Sequence, residues 1–155
     1  MTPQPILNLI SKWKGKMLPI DGDFKFHHYG LACSDLKKAT EMLLQSGYTI
    51  GPVVHDPLQK VLLSICTHKF LPCIEIVSAE LKDNPINKIV EKNDICIYHI
   101  CYVVSERTKA LSKLTNLGIR FVTISNPKEA ILFNGKTVSF HFAKEFDLFE
   151  ILEKV

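Results

Sequence analysis

No apolar run in the 155-residue chain approaches the roughly 20 residues that a bilayer-spanning helix needs, so the sequence offers no membrane span. The start, Met1-Thr2-Pro3-Gln4-Pro5, lacks a basic stretch followed by an apolar one, and a secretory leader is not expected. The cytoplasm is the expected compartment. An excess of one charge sign is also missing: 19 Lys and Arg against 16 Asp and Glu leave a net charge of +3, with acids and bases interspersed. Nothing in that balance calls for nucleic acid. Cysteine pairs are absent too. Cys33, Cys66, Cys73, Cys96 and Cys101 are odd in number, form no CxxC and mostly sit in apolar runs. Reduced, buried thiols are expected, not disulfides or a zinc knuckle.

What is present fits one domain with a normal core: 46% hydrophobic and 23% charged residues, far from disordered compositions. Within it lies an internal repeat. Phe26-His27-His28-Tyr29-Gly30-Leu31-Ala32-Cys33-Ser34-Asp35 and Ile97-Tyr98-His99-Ile100-Cys101-Tyr102-Val103-Val104-Ser105-Glu106 share one layout, an apolar run with an early histidine, then Ser and an acid. His28 and His99, Ser34 and Ser105, Ala39 and Ala110, and Gly47 and Gly118 are all 71 residues apart. Two histidines at equivalent places in two half-domains can meet at a pseudo-twofold axis.

Residues Pro5 to Met17 place Ile6, Leu7, Ile10, Trp13 and Met17 at helical spacing with lysines between them. This basic amphipathic helix is expected to pack on its own domain, or on a second subunit of a homodimer, in preference to a membrane surface. Asp21-Gly22-Asp23 then turns the chain. The first module, about 24–81, reads as strand Phe24 to Cys33, helix Leu36 to Gln45 closed by Gly47, and strands Tyr48 to Val54, Val61 to Cys66 and Cys73 to Val77. A helical link follows from Asp83-Asn84-Pro85 to about Glu91. The second module, 95–155, repeats the order: strand Ile95 to Val104, helix Glu106 to Leu117 closed by Gly118, then strand Ile119 to Ile124. A loop at Asn126-Pro127 and a hairpin signal at Asn134-Gly135 precede strands Lys136 to Phe142 and Asp147 to Leu152. The fold class expected is α+β: two paired βαβββ modules forming a cupped, mostly antiparallel sheet, preceded by the N-terminal segment 1–23.

His28, Glu75, His99 and Glu150 each interrupt an apolar strand face. A lone strand histidine is usually a satisfied core or surface residue, and a glutamate on a solvent-facing sheet is ordinary. Burying an ionised carboxylate without a partner is costly, however. Two acids and two imidazoles in matching places of two halves make sense if they converge on a divalent cation. Such a set suits Zn²⁺, Co²⁺, Ni²⁺ or Mn²⁺, and donor type alone does not choose. Strand parity sets His27 outward and His28 inward. His141 is read as a substrate contact at the cavity mouth.

At these residues the chain resembles the vicinal oxygen chelate superfamily, which includes glyoxalase I, extradiol dioxygenases and methylmalonyl-CoA epimerase. The resemblance rests on His28-x-Gly30-x-Ala32 followed by Ser34-Asp35-Leu36, on Ile74-Glu75-Ile76-Val77, on Tyr98-His99-Ile100-Cys101-Tyr102-Val103-Val104, and on Phe149-Glu150-Ile151-Leu152-Glu153. It covers about Phe24 to Glu153 and is nearest to methylmalonyl-CoA epimerase, which the stretches Asp56-Pro57-Leu58-Gln59-Lys60-Val61 and Lys82-Asp83-Asn84-Pro85-Ile86 also resemble. The resemblance implies metal ligands at His28, Glu75, His99 and Glu150, with Glu150 acting as ligand and catalytic base in turn, and a substrate contact at Gln59. The implied activity is a divalent-metal-dependent isomerase or epimerase that enolises an acyl thioester, carried by CoA or a carrier protein. A glyoxalase-like lyase or dioxygenase on the same metal site, or a metal-free small-molecule binder of the same fold, are the alternatives. One departure stands out: where some epimerases place a second acid/base glutamate on the third strand, Val61-Leu62-Leu63-Ser64-Ile65 offers aliphatics and a serine.

Overall fold

A computed structural model describes residues 22–154. The amphipathic helix expected over Pro5 to Met17 lies outside the described residues. The described residues build one open, curved sheet of ten strands with three helices. In the first half come β1 (Lys25–Cys33), α1 (Leu36–Gln45), β2 (Thr49–Ile50), β3 (Val54–Asp56), β4 (Val61–Thr67) and β5 (Ile74–Ala79). Helix α2 (Pro85–Val90) links to β6 (Ile95–Val104), α3 (Arg107–Asn116), β7 (Phe121–Thr123), β8 (Lys128–Glu129), a 3₁₀ turn (Ile131–Phe133), β9 (Thr137–Ala143) and β10 (Asp147–Glu153).

The strand order β2-β4-β5-β1-β6-β10-β9-β7 reads the same from either end once the halves are exchanged. The first strands of the two halves, β1 and β6, pair antiparallel at the centre. Each is flanked by the last strand of its own half, and these two pairings, β1 with β5 and β6 with β10, are parallel. The remaining pairs are antiparallel. The expected α+β class and paired modules are what the chain forms.

Local chemistry places the helices. Asp35 caps α1 by accepting from Lys38 N at 3.1 Å, and Gly47, at φ 86°, closes it. Gly118 (φ 77°) closes α3 in the same left-handed way. Alternation along the strands then sorts the two sheet faces. Ile74 and Ile76 turn toward Leu43 of α1, while Phe149 and Ile151 pack with Leu114 of α3. Each of these buried side chains is worth about 1.5–3 kcal/mol. The intervening residues, Glu75 and Glu150 among them, therefore face the other side. There Val77 packs with Ile86 and Val90 of α2.

Two stretches depart from the sequence reading. Tyr48 to Val54 is not one strand: Gly51-Pro52 splits it into β2 and β3, since Pro52 has no N–H to give a ladder. Asn134-Gly135 does form a tight turn, with φ 54° and 76° and a bond from Lys136 N to Phe133 O. It does not join two strands directly, because the 3₁₀ turn intervenes and β8 pairs with β9 beyond it. That turn reaches across to β3 and β4 of the first half. Among the described residues no helix is long and apolar enough to cross a membrane.

Candidate metal centre

The central strand pair carries both site histidines, and the flanking parallel strands carry both glutamates. Gly30 pairs with His99 across the centre; Glu75 sits beside Gly30, and Glu150 beside Cys101. Gly30 is required here, because a Cβ at that position would fall into the imidazole ring of His99. His28, Glu75, His99 and Glu150 are all buried, and one ligand atom from each lies within 4.8 Å of all the others.

The separations are informative. His28 Nε2 is 3.3 Å from His99 Nε2, 3.5 Å from Glu75 Oε2 and 3.4 Å from Glu150 Oε2. His99 Nε2 is 3.8 Å from Glu75 Oε2 and 3.4 Å from Glu150 Oε2. Four donors at about 2.1 Å from a tetrahedral divalent ion stand about 3.4 Å from one another. The five separations above, 3.3–3.8 Å, lie near that edge length. Glu150 Oε2 is buried with no hydrogen-bond partner among the described residues, which costs free energy unless a positive charge faces it. Two imidazole nitrogens and two carboxylates fit a borderline divalent cation by distance and by donor chemistry.

Electrostatics agree with a site organised around charge. Burial opposes charge on His28, but Glu150 and Glu75 together outweigh it and push the imidazole up to about 9. Burial likewise pushes the Glu150 carboxyl up, yet His28 and His99 hold it well below the usual carboxylate range. The Cys101 thiol, buried beside Glu150, is pushed well above its ordinary value and stays protonated. Two aromatic rings wedge the imidazoles: Phe133 stacks on His28 at 5.7 Å and Phe140 meets His99 edge-on at 5.3 Å.

Next to the four residues opens a small cleft. Glu75, Glu150 and Tyr98 form its polar floor, with apolar walls from Leu63, Val77 and Phe140. The 3₁₀ turn supplies a further wall that no local sequence signal announced. Gln59 lines the cavity, and its amide donates to Asp56 Oδ2 at 3.0 Å. Asp56 also lines it, but its Oδ1 accepts from Leu58 N and Gln59 N, so that carboxylate is engaged by its own turn.

Two expectations are corrected. His141 does not reach the cavity mouth. It pairs with Phe149 on the α3 face, 1% exposed, held by Ser139 Oγ at 2.8 Å and Thr123 Oγ1 at 3.1 Å. Its neighbour Phe140, opposite Glu150, faces the cavity instead. His27 does not point away from His28 either. A register shift between Phe26 and His28 inserts His27 as an extra residue, and its Nδ1 lies 2.7 Å from His28 Nδ1.

Comparison with known proteins gives a consistent family and a distant set of structures. The family model of the glyoxalase/bleomycin resistance protein/dioxygenase superfamily matches residues 27–140. Methylmalonyl-CoA epimerase from Mycobacterium tuberculosis is similar in structure with a TM-score of 0.70 at 17% identity, over 93% of this chain and 95% of that one. A hypothetical protein from Bacillus halodurans has a TM-score of 0.71 at 21% identity, over 85% and 95%. A variant of Streptomyces coelicolor methylmalonyl-CoA epimerase, in complex with 2-nitronate-propionyl-CoA, has a TM-score of 0.68 at 17% identity, over 86% and 99%. At these identities the likeness is one of fold. No curated protein matches the chain.

Proposed function

The chain belongs to the glyoxalase/bleomycin resistance protein/dioxygenase superfamily, and we propose that it is a divalent-metal-dependent isomerase or epimerase that enolises an acyl thioester. The observation that carries this reading is the buried cluster of His28, Glu75, His99 and Glu150 opening onto a cleft of mixed polar and apolar lining. These four residues would hold the cation. When bound, it would supply Lewis-acid stabilisation of the negative charge that develops on a carbonyl oxygen.

The chain's own residues do the rest. Glu150 Oε2, a buried atom with no hydrogen-bond partner among the described residues, is the oxygen assigned to take the α-proton. The C–H bond breaks, its electron pair enters the new C=C bond, and the carbonyl oxygen carries the charge. Inversion needs a proton from the opposite face, which Glu75 across the cavity would deliver while Glu150 releases the proton it took to solvent. Leu63, Val77 and Phe140 exclude water from the carbanion and receive the apolar part of the acyl group. Gln59, at the cavity wall, is placed to donate to the substrate once it exchanges its bond to Asp56.

A glyoxalase-like proton transfer on the same site is the second reading, and one observation favours it. The third-strand wall presents Leu63, and Asp56 is engaged by its own turn, so the carboxylate facing Glu150 across the site is Glu75. Deuterium incorporation at the α-carbon of methylmalonyl-CoA in D₂O tests the first reading. Protein loaded with Co²⁺ or Mn²⁺ is expected to catalyse exchange, and Glu150→Gln to lose about 10²–10⁴-fold of it. Metal-loaded wild type that gives no exchange would remove methylmalonyl-CoA as the substrate.

A further inference from the structure

The first strand of each half carries an extra residue just before its site histidine. In β1 it is His27, between the pairs Phe26–Tyr102 and His28–Cys101; in β6 it is Tyr98, between Gly30–His99 and Leu31–Ile97. A bulge of this kind re-aims the side chain of the inserted residue. Tyr98 is turned edge-on against the His99 ring at 4.5 Å, and among the described residues His99 Nδ1 has no hydrogen-bond partner. His27 is turned so that its Nδ1 meets His28 Nδ1 at 2.7 Å. Phe133 holds both rings, lying 5.2 Å from His27 and 5.7 Å from His28.

Two ring nitrogens 2.7 Å apart share one proton: two lone pairs, or two N–H groups, would repel at that distance. His28 already directs Nε2 at Glu75, Glu150 and His99. For Nε2 to offer its lone pair there, the ring proton must sit on Nδ1. We propose that His27 is a positioning residue: its Nδ1 accepts a hydrogen bond from His28 Nδ1–H and fixes His28 in the tautomer whose Nε2 lone pair faces the site. Its own ring proton then resides on Nε2. The assignment rests on reading the four buried residues as a metal centre. Histidine ligands generally need such a partner on the second nitrogen, and loss of it weakens metal binding by about 10–100-fold. In this chain His28 has one and His99 does not.

A competing use of the same atoms is a second cation site, since His27, His28 and Cys101 also bring ligand atoms within 4.8 Å of one another. The 2.7 Å approach decides against it. Ligands around a tetrahedral ion stand about 3.4 Å apart, whereas this is hydrogen-bond length.

The test uses nitrogen-15-labelled full-length protein, metal-free and Zn²⁺-loaded. A scalar coupling between Nδ1 of His27 and Nδ1 of His28, transmitted through the N–H···N bond, is expected in both states. Zn²⁺ affinity, measured by chelator competition, is expected to fall about 10–100-fold in His27→Phe and to recover in His27→Asn, whose Oδ1 can accept the same bond. Absence of the coupling in wild type overturns the proposal, and so does wild-type Zn²⁺ affinity in His27→Phe. Two Zn²⁺ per chain with the coupling lost overturns it in favour of the His27–His28–Cys101 site. Wild type that shows the coupling and binds no Zn²⁺ keeps the hydrogen bond and refutes the metal centre instead. Should His27→Phe not fold, the coupling in wild type still decides.

Discussion

In the first half, His28 is preceded by His27 and followed two residues on by Gly30; in the second, His99 is preceded by Tyr98 and followed by Cys101. The site residues themselves match across the pseudo-twofold axis, one histidine and one glutamate from each side. Their neighbours do not. One imidazole is backed by a hydrogen bond, the other by an aromatic edge and a bare Nδ1. One inner position is empty of side chain to admit a ring, and its counterpart carries a thiol beside Glu150. The duplicated layout is thus symmetric in the groups that face the site and asymmetric in what holds them.

The sharpest way to break the comparison is to exchange what the two inner positions hold. Gly30→Ala places a Cβ inside the His99 ring. It is expected to destabilise the protein by about 1–3 kcal/mol and to abolish tight divalent-metal binding by displacing that ring. Cys101→Ala removes only a buried sulfur, is expected to cost about 1 kcal/mol, and should leave metal stoichiometry unchanged. Urea denaturation and metal titration of both variants read the difference; equal effects would show that the positions are interchangeable.

A second contrast sits one strand out. His141, opposite Phe149 on β9, corresponds to Cys66, opposite Ile74 on β4. Burial, and then the Arg107 charge, lower His141 to about 4. Because the folded state disfavours its proton, His141 contributes stability that is full above about pH 6.5, the unfolded value, and is lost as pH falls through about 4. Burial pushes the Cys66 thiol up, so it stays neutral over that window. His141→Phe is therefore expected to flatten the acid side of the stability profile, and Cys66→Ala to leave its slope alone. Urea midpoints followed from about pH 7 down to about pH 4 check this; an unchanged slope in His141→Phe would show that His141 does not set it.

The smallest effects are expected at the helix anchors. Arg107 pairs with Glu153 at 3.1 Å, their side chains 12% and 24% exposed, and also donates to Thr137 O. Lys38 and Asp94, at 3.1 Å, are 59% and 67% exposed. Arg107→Ala is expected to cost about 1–2 kcal/mol and Lys38→Ala no more than about 0.5 kcal/mol, as thermal melts would report.

The 71-residue spacing made the halves, and the pairing of His28 with His99, readable from the chain, because a duplication writes the same apolar period and the same helix-closing glycine twice. Glu75 and Glu150 were legible because a carboxylate in an apolar strand is costly wherever that strand is buried. The direction of His27 was not, since strand parity holds only while the ladder is regular, and the bulge that breaks it is set by pairing with β6. His141 was placed by its chemistry when its parity with Phe140 would have put it on the helix face. The Asn134-Gly135 turn was real, but a local turn signal does not say which strand follows it. Only the tertiary fold shows the 3₁₀ turn crossing to the first half.

The way the four residues are divided has a consequence for how the protein holds together. Each half contributes two of them, and the halves meet mainly along the β1–β6 seam. A cation held between them would act as a clasp across that seam. Whatever free energy it released on binding would be free energy of joining the two modules, and would raise the resistance to their separation in proportion to the logarithm of ion concentration over its dissociation constant.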